Sequence, residues 1–159
     1  MRSLLLLCMV LFIGVFDAKS QSYDQQLFQL LTTNPEAFRA YLVNNPGVVV
    51  NLKGAPLNGV DMSRMQLENV NLSYAKLEGA NFKESNLNRA NFIGANIKNA
   101  NFSRTTLEQA DFSKANATGA NFSEATFKET ELTYLLIQMD NQLYPAIITD
   151  QGVVAQASK

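Results

Sequence analysis

The chain has 159 residues, the size of one domain, and its 47% apolar and 17% charged residues are ordinary for a globular protein, which excludes a disordered chain. A formal net charge of −1 gives no long-range field to gather nucleic acid or anionic lipid, so nucleic acid is not an expected partner. Histidine is absent and there is a single cysteine, which leaves little material for metal or thiol chemistry.

The first twenty residues read as an address. Arg2 supplies a short positive start, Leu4 to Phe16 form an apolar run of 13, and Ala18 and Ser20 stand at −3 and −1 of a cut before Gln21. Thirteen apolar residues fall short of the ~20 needed to cross a membrane. Residues 1–20 are therefore expected to be a cleaved signal peptide, with no stable membrane anchor after cleavage. A buried core helix is the alternative. Cys8 lies in this stretch, so the mature chain is expected to carry neither disulfide nor free thiol.

Residues 21–49 have a helical texture. Leu27, Leu30 and Leu31 recur at i, i+3 and i+4, and a second stretch offers Asn34 as N-cap, Pro35 at the first helical position and Glu36 in the first turn. Phe38, Tyr41 and Leu42 would share one face of that helix. The segment "NNPG" stops it. Two short helices over residues 23–45 are expected to form an N-terminal cap on the rest of the chain.

From residue 50 to 134 a five-residue theme takes over. Large apolar centres fall at Leu52, Leu57, Met62, Leu67 and so on through Leu132, seventeen repeats in succession. A small residue usually stands two before each centre and Asn or Asp one before it, as in "ANFKESNLNRANFIGANIKNANFS". An α-helix would rotate successive centres by about 140°, and a straight strand would throw them onto opposite faces. The chain must instead turn once per repeat. Four near-right-angle turns close a square of twenty residues, and squares stack at ~4.8 Å to give a column roughly 20 Å long. The centres Leu72, Leu77, Phe82, Leu87, Phe92, Ile97, Phe102, Leu107, Phe112, Phe122 and Phe127 would fill it. Asn and Asp would bond to nearby backbone and pair in ladders such as Asn81, Asn101 and Asn121. Val60, Met65 and Val70 replace the small residue and predict wider early coils, whereas Ala117 replaces a large centre and predicts a void or a drawn-in wall.

The run "ANFKE SNLNR ANFIG ANIKN ANFSR" resembles the A-(D/N)-(L/F)-x-x theme of the pentapeptide-repeat proteins, and the resemblance covers residues 50–134. It implies an all-β solenoid, a right-handed quadrilateral β-helix, here with four to five coils. The approach "AFRAYLVNNPGVVVNLKGAPL" is similar to the capping segment that leads into the first coil of many bacterial members.

Beyond the repeats, Leu132, Leu135, Leu136, Met139 and Leu143 fit a helical face, and a closing α-helical cap is expected over residues 131–144. The C-terminal cap and polar tail are assigned to 135–159. Continuation of the repeat through Leu135 and Ile137 is the alternative. An uncovered coil end would invite end-to-end homodimerisation.

No pattern for catalysis emerges. There is no glycine-rich phosphate loop and no acidic cluster at metal-ligand spacing, and Glu78, Glu84, Glu108 and Glu124 fall at outward repeat positions. The chain is expected not to be an enzyme and to need no cofactor. The sequons at Asn71, Asn101, Asn116 and Asn121 arise from the repeat itself. Sorted by wall, the outward positions give one wall of glycine and small polar groups, two of mixed charge, and a fourth holding Tyr74, Ile93, Lys114 and Tyr134. Exposed Tyr and Ile on a flat face mark a candidate contact for an unidentified protein partner; scattered apolar surface residues are the plainer reading. The expected function is an exported, non-catalytic scaffold or protein-binding module, secreted or periplasmic. The resemblance adds two alternatives: a thylakoid-lumen address in a photosynthetic lineage, and DNA mimicry directed at DNA gyrase. The second needs acidic walls, whereas without residues 1–20 the chain has 11 basic and 13 acidic residues.

Overall fold

A computed structural model describes residues 23–139, 142–149 and 152–155, so the expected signal peptide lies outside the described residues. Two short helices come first. α1, Gln25–Thr33, is capped by Asp24, whose carboxylate accepts the N–H groups of Gln26 and Leu27 at 3.0 Å each. α2, Pro35–Asn44, starts on Asn34, whose side chain accepts the Ala37 N–H at 3.0 Å, with Pro35 in the first turn. Their buried residues, Leu27, Leu31, Phe38 and Leu42, join one core cluster with Val50 and Leu52 of the first coil.

From Asn51 onward the chain is a four-walled β-helix. Parallel bridges join residues twenty apart, running Asn51, Asn71, Asn91, Asp111, Glu131 on one wall and Asp61, Asn81, Asn101, Asn121 on another. Each repeat ends in a turn closed by a bond such as the Ala75 N–H to the Leu72 carbonyl at 3.1 Å. The third residue of each turn has positive φ, for example Tyr74 at 59° and Gly94 at 65°, which identifies type II turns. Asn and Asp hold these corners: the Oδ1 of Asn81 accepts the Lys83 N–H at 3.1 Å and that of Asp111 accepts the Ser113 N–H at 2.8 Å. Asn81 also donates to Asp61 at 3.0 Å, and Asn101 to Asn81 at 3.3 Å.

The centres face inward and are fully enclosed from Leu52 to Ala117. Phe82, Phe102 and Phe122 stack with centroids 4.8 Å apart, Phe92 and Phe112 at 4.6 Å, so the rings follow the coil rise. The two stacks come from opposite walls and meet edge to face at 5.5 to 5.7 Å. Leu and Ile, with Ala117 at the last enclosed position of one of them, fill the other pair of walls. At Met65, where most repeats have alanine, the Ser85 hydroxyl enters the turn: it accepts the Met65 N–H at 3.2 Å and donates to the Met62 carbonyl at 2.7 Å.

Two expectations fail at the C-terminal end. Phe127 is 36% exposed and is not a core residue: the bridges of its wall end at Thr106 to Thr126, so no further rung covers the ring. The closing α-helix is also absent from the described residues. Leu135 is fully buried at the small-residue position of one more repeat, and Leu136 bridges to Asn116. The chain then runs into β1, Leu136–Met139, which pairs antiparallel with β2, Gln142–Thr149, and β2 pairs with β3, Gly152–Ala155. Once Leu136 is held in the ladder the backbone is already extended. The β-branched residues further along, Ile147, Ile148, Val153 and Val154, favour strands over helix.

Candidate functional site

One corner of the β-helix gathers the four residues singled out by sequence. Tyr74, Lys114 and Tyr134 occupy the same turn position on successive coils, with Gly94 between the first two, and Ile93 stands in the adjacent column. Backbone bonds tie the coils together there, from the Tyr74 N–H to the Ile93 carbonyl at 2.8 Å and from the Lys114 N–H to the Thr133 carbonyl at 3.0 Å. Tyr74 is 60% exposed and Tyr134 66%, Lys114 is exposed, and Ile93 is half-buried. Three coil steps, about 14 Å, separate the two tyrosines along the axis.

Tyr74 is held in place from both sides. A Cβ added to Gly94 would lie 2.7 Å from Cε1 of Tyr74, so the ring lies over the glycine and would have to shift for any larger residue there. The Lys53 ammonium lies 5.9 Å from the ring centroid, within the range of a cation–π contact. Sequence reasoning misses Gly94 and Lys53. The twenty-residue register carries the signal, because it sets Gly94 one coil from Tyr74.

Two other corners are knitted by alternating charge. Arg64 meets Glu84 at 2.8 Å, and Arg104 reaches Glu84 at 3.9 Å and Glu124 at 3.1 Å. On the next corner Lys128 meets Glu108 at 2.9 Å, while Arg89, Gln109 and Glu129 form a hydrogen-bonded ladder. The bond from Arg64 lowers the pKa of the Glu84 carboxyl, and the bond from Lys128 lowers that of Glu108. A shallow groove lined by Glu68, Asn88, Arg89 and Glu108 lies on this second corner. Among the described residues no group of three or more His, Cys, Asp or Glu could hold a metal ion. No helix among the described residues is long and apolar enough to cross a membrane.

A family model described as "Pentapeptide repeat region" matches residues 61–139. No curated protein matches the chain. Among solved structures, a pentapeptide repeat protein from the Arabidopsis thaliana thylakoid lumen is 33% identical, with a TM-score of 0.43, over 50% of this chain and 62% of that one. A pentapeptide repeat protein from the cyanobacterium Cyanothece 51142 is 34% identical, with a TM-score of 0.27, over 52% and 62%. QnrB1, a plasmid-mediated fluoroquinolone resistance protein, is 18% identical, with a TM-score of 0.33, over 52% and 57%. The chain thus spans less than two thirds of the length of each of these structures. With the five-residue register and the twenty-residue ladder, the match over residues 61–139 makes the chain a member of the pentapeptide-repeat family.

Proposed function

We propose that the protein is an exported, non-catalytic scaffold that binds another protein through the corner carrying Tyr74, Ile93, Lys114 and Tyr134. The observation that carries this reading is the fixed Tyr74 ring: a large aromatic surface, 60% exposed, seated on Gly94 of a rigid coil. An aromatic anchor ordered before contact loses little conformational entropy on binding. Export rests on the pattern of residues 1–20, and the destination is the periplasm, the extracellular medium or, in a photosynthetic lineage, the thylakoid lumen. Duplex mimicry has less support, because a DNA-like wall needs free acidic groups and Glu84, Glu108 and Glu124 are paired with Arg or Lys.

The test places a photocrosslinking amino acid at position 74 or, as a control, at position 83. Cross-linked partners from an extract of the source organism are then identified by mass spectrometry. One dominant partner at 74, absent at 83 and lost in a Tyr134→Ser, Ile93→Ser background with unchanged melting temperature, is expected. Equal products at both positions would remove this corner from consideration. Export is checked by the intact mass of the chain expressed with residues 1–20 in a Gram-negative host, where a periplasmic species beginning at Gln21 is expected.

A further inference from the structure

The wall beside Tyr74 differs in charge from its opposite. Each of the first four coils contributes one lysine to this wall or its two corners, Lys53, Lys76, Lys98 and Lys114, against the single carboxylate of Glu78. Glu78 stands 4.0 Å from Lys98. Among the described residues, no carboxylate lies within ion-pair distance of Lys76 or Lys114, and both are exposed. The opposite wall and its corners carry five basic and five acidic residues, most of them laddered. On the midline of the lysine wall, the Oδ1 atoms of Asn96 and Asn116 are committed to their own turns, to the N–H groups of Lys98 at 3.3 Å and Thr118 at 3.2 Å. Their amide nitrogens are donors. The wall therefore offers ammonium and amide donors bordered by Tyr74, Ile93 and Tyr134, and the carboxylates flanking that corner, Asp111 and Glu131, are committed to the Ser113 and Thr133 N–H groups at 2.8 Å each.

We infer that this wall binds an extended acidic segment of a partner protein, its carboxylates on Lys76 and Lys114 and its apolar side chains against Tyr74 and Ile93. The inference rests on the protein-binding reading above and names the chemistry of the partner. Charge complementarity and length carry it. Three coil steps cover about 14 Å, the span of four to five extended residues, and alternation of side chains along a strand lets one segment present acidic and apolar groups to different neighbours. Two exposed lysines, Lys76 and Lys114, interleaved with Tyr and Ile on a chain of net charge −1, suit a peptide better than a phosphate backbone, which needs a longer cationic stripe.

The test uses the full chain and a fluorescein-labelled probe, Glu-Leu-Glu-Leu-Glu-Leu-Glu, with the Lys-Leu counterpart as control, followed by anisotropy at low and physiological salt. The Glu-Leu probe is expected to bind and the Lys-Leu probe not to. Lys76→Glu with Lys114→Glu should raise Kd about tenfold or more at unchanged melting temperature, whereas Lys83→Glu on another corner should change it less than twofold. Absence of binding, equal binding of both probes, an unchanged Kd in the double variant, or an equal effect of Lys83→Glu would overturn the inference. So would tighter, equally lysine-dependent binding of a twenty-nucleotide oligothymidine, which would reassign the wall to nucleic acid. If crosslinking at position 74 still finds one partner whose capture the lysine variants do not weaken, the acidic-segment inference fails while the binding corner stands.

Discussion

All seventeen turn positions from Gly54 to Tyr134 have positive φ, and twelve of them are not glycine. Left-handed backbone crowds the Cβ of any L-residue, so the sequence tolerates a repeated local cost that the parallel ladder offsets. Two glycines separate this cost from packing. A Cβ at Gly79 would meet nothing within 4 Å, so Gly79→Ala should lose about 1 kcal/mol from conformation alone. Gly94→Ala should lose more, because the new methyl also displaces the Tyr74 ring; the difference between the two variants in denaturant unfolding measures how firmly that ring is seated. In the interior, Phe102 stacks on Phe82 and Phe122 and meets Phe92 and Phe112 edge on. Phe102→Ala should destabilise by about 3–5 kcal/mol in the same assay.

At the scale of the repeat, the alternating ladders set the response to acid. Hydrogen bonds from Arg64, Lys128 and Thr133 hold the carboxyls of Glu84, Glu108 and Glu131 below their ordinary value of 4.5. A carboxyl whose folded pKa is depressed adds stability above the unfolded pKa and loses it as pH falls through the folded value. The melting temperature should therefore hold between pH 7 and 5 and decline below about pH 4.5, and Glu84→Gln should make that decline shallower. A decline that begins near pH 6 would point to groups other than these. The same scale shows why the sequence was readable. A five-residue period leaves no choice but one turn per repeat, and ten of the eleven core centres assigned from it are buried. The period lapses after Leu132, where the apolar residues at 132, 135, 136 and 139 suit a helix or a further coil equally. The bridge from Leu136 to Asn116, twenty residues away, decides between them. Tyr74, Lys114 and Tyr134 share a corner by counting in twenties. The donor-rich wall was hidden because net charge does not say which acid reaches which base, and only the pairings of Arg64, Arg104 and Lys128 leave Lys76 and Lys114 over.

For the whole molecule the weak points are the two ends, because each interior coil is bonded above and below while a terminal coil has one free edge. The first coil shows how that edge is managed. Interior residues one before the centre donate downward, as the Lys76 N–H does to the Ala55 carbonyl at 3.0 Å; Pro56 occupies the same position one coil earlier, where no coil lies below, so its missing N–H is no loss. Asn96→Pro, the same change inside the column, should break the Asn96 to Ala75 bond and prevent folding. The rest of the edge is covered by the helices: the Asp24 N–H donates to the Asn51 carbonyl at 2.8 Å, and Phe38 and Leu31 are fully buried against the first coil. Phe38→Asp should therefore undock the helical pair without unstacking the phenylalanine columns above it. Two measurements separate this from global unfolding. Hydrogen exchange should accelerate at Leu52, Leu57 and Met62 while Phe102 and Phe112 stay protected, and sedimentation should show concentration-dependent association through the bared coil. If exchange rises uniformly along the column, the helices are part of one cooperative unit rather than a lid on its end.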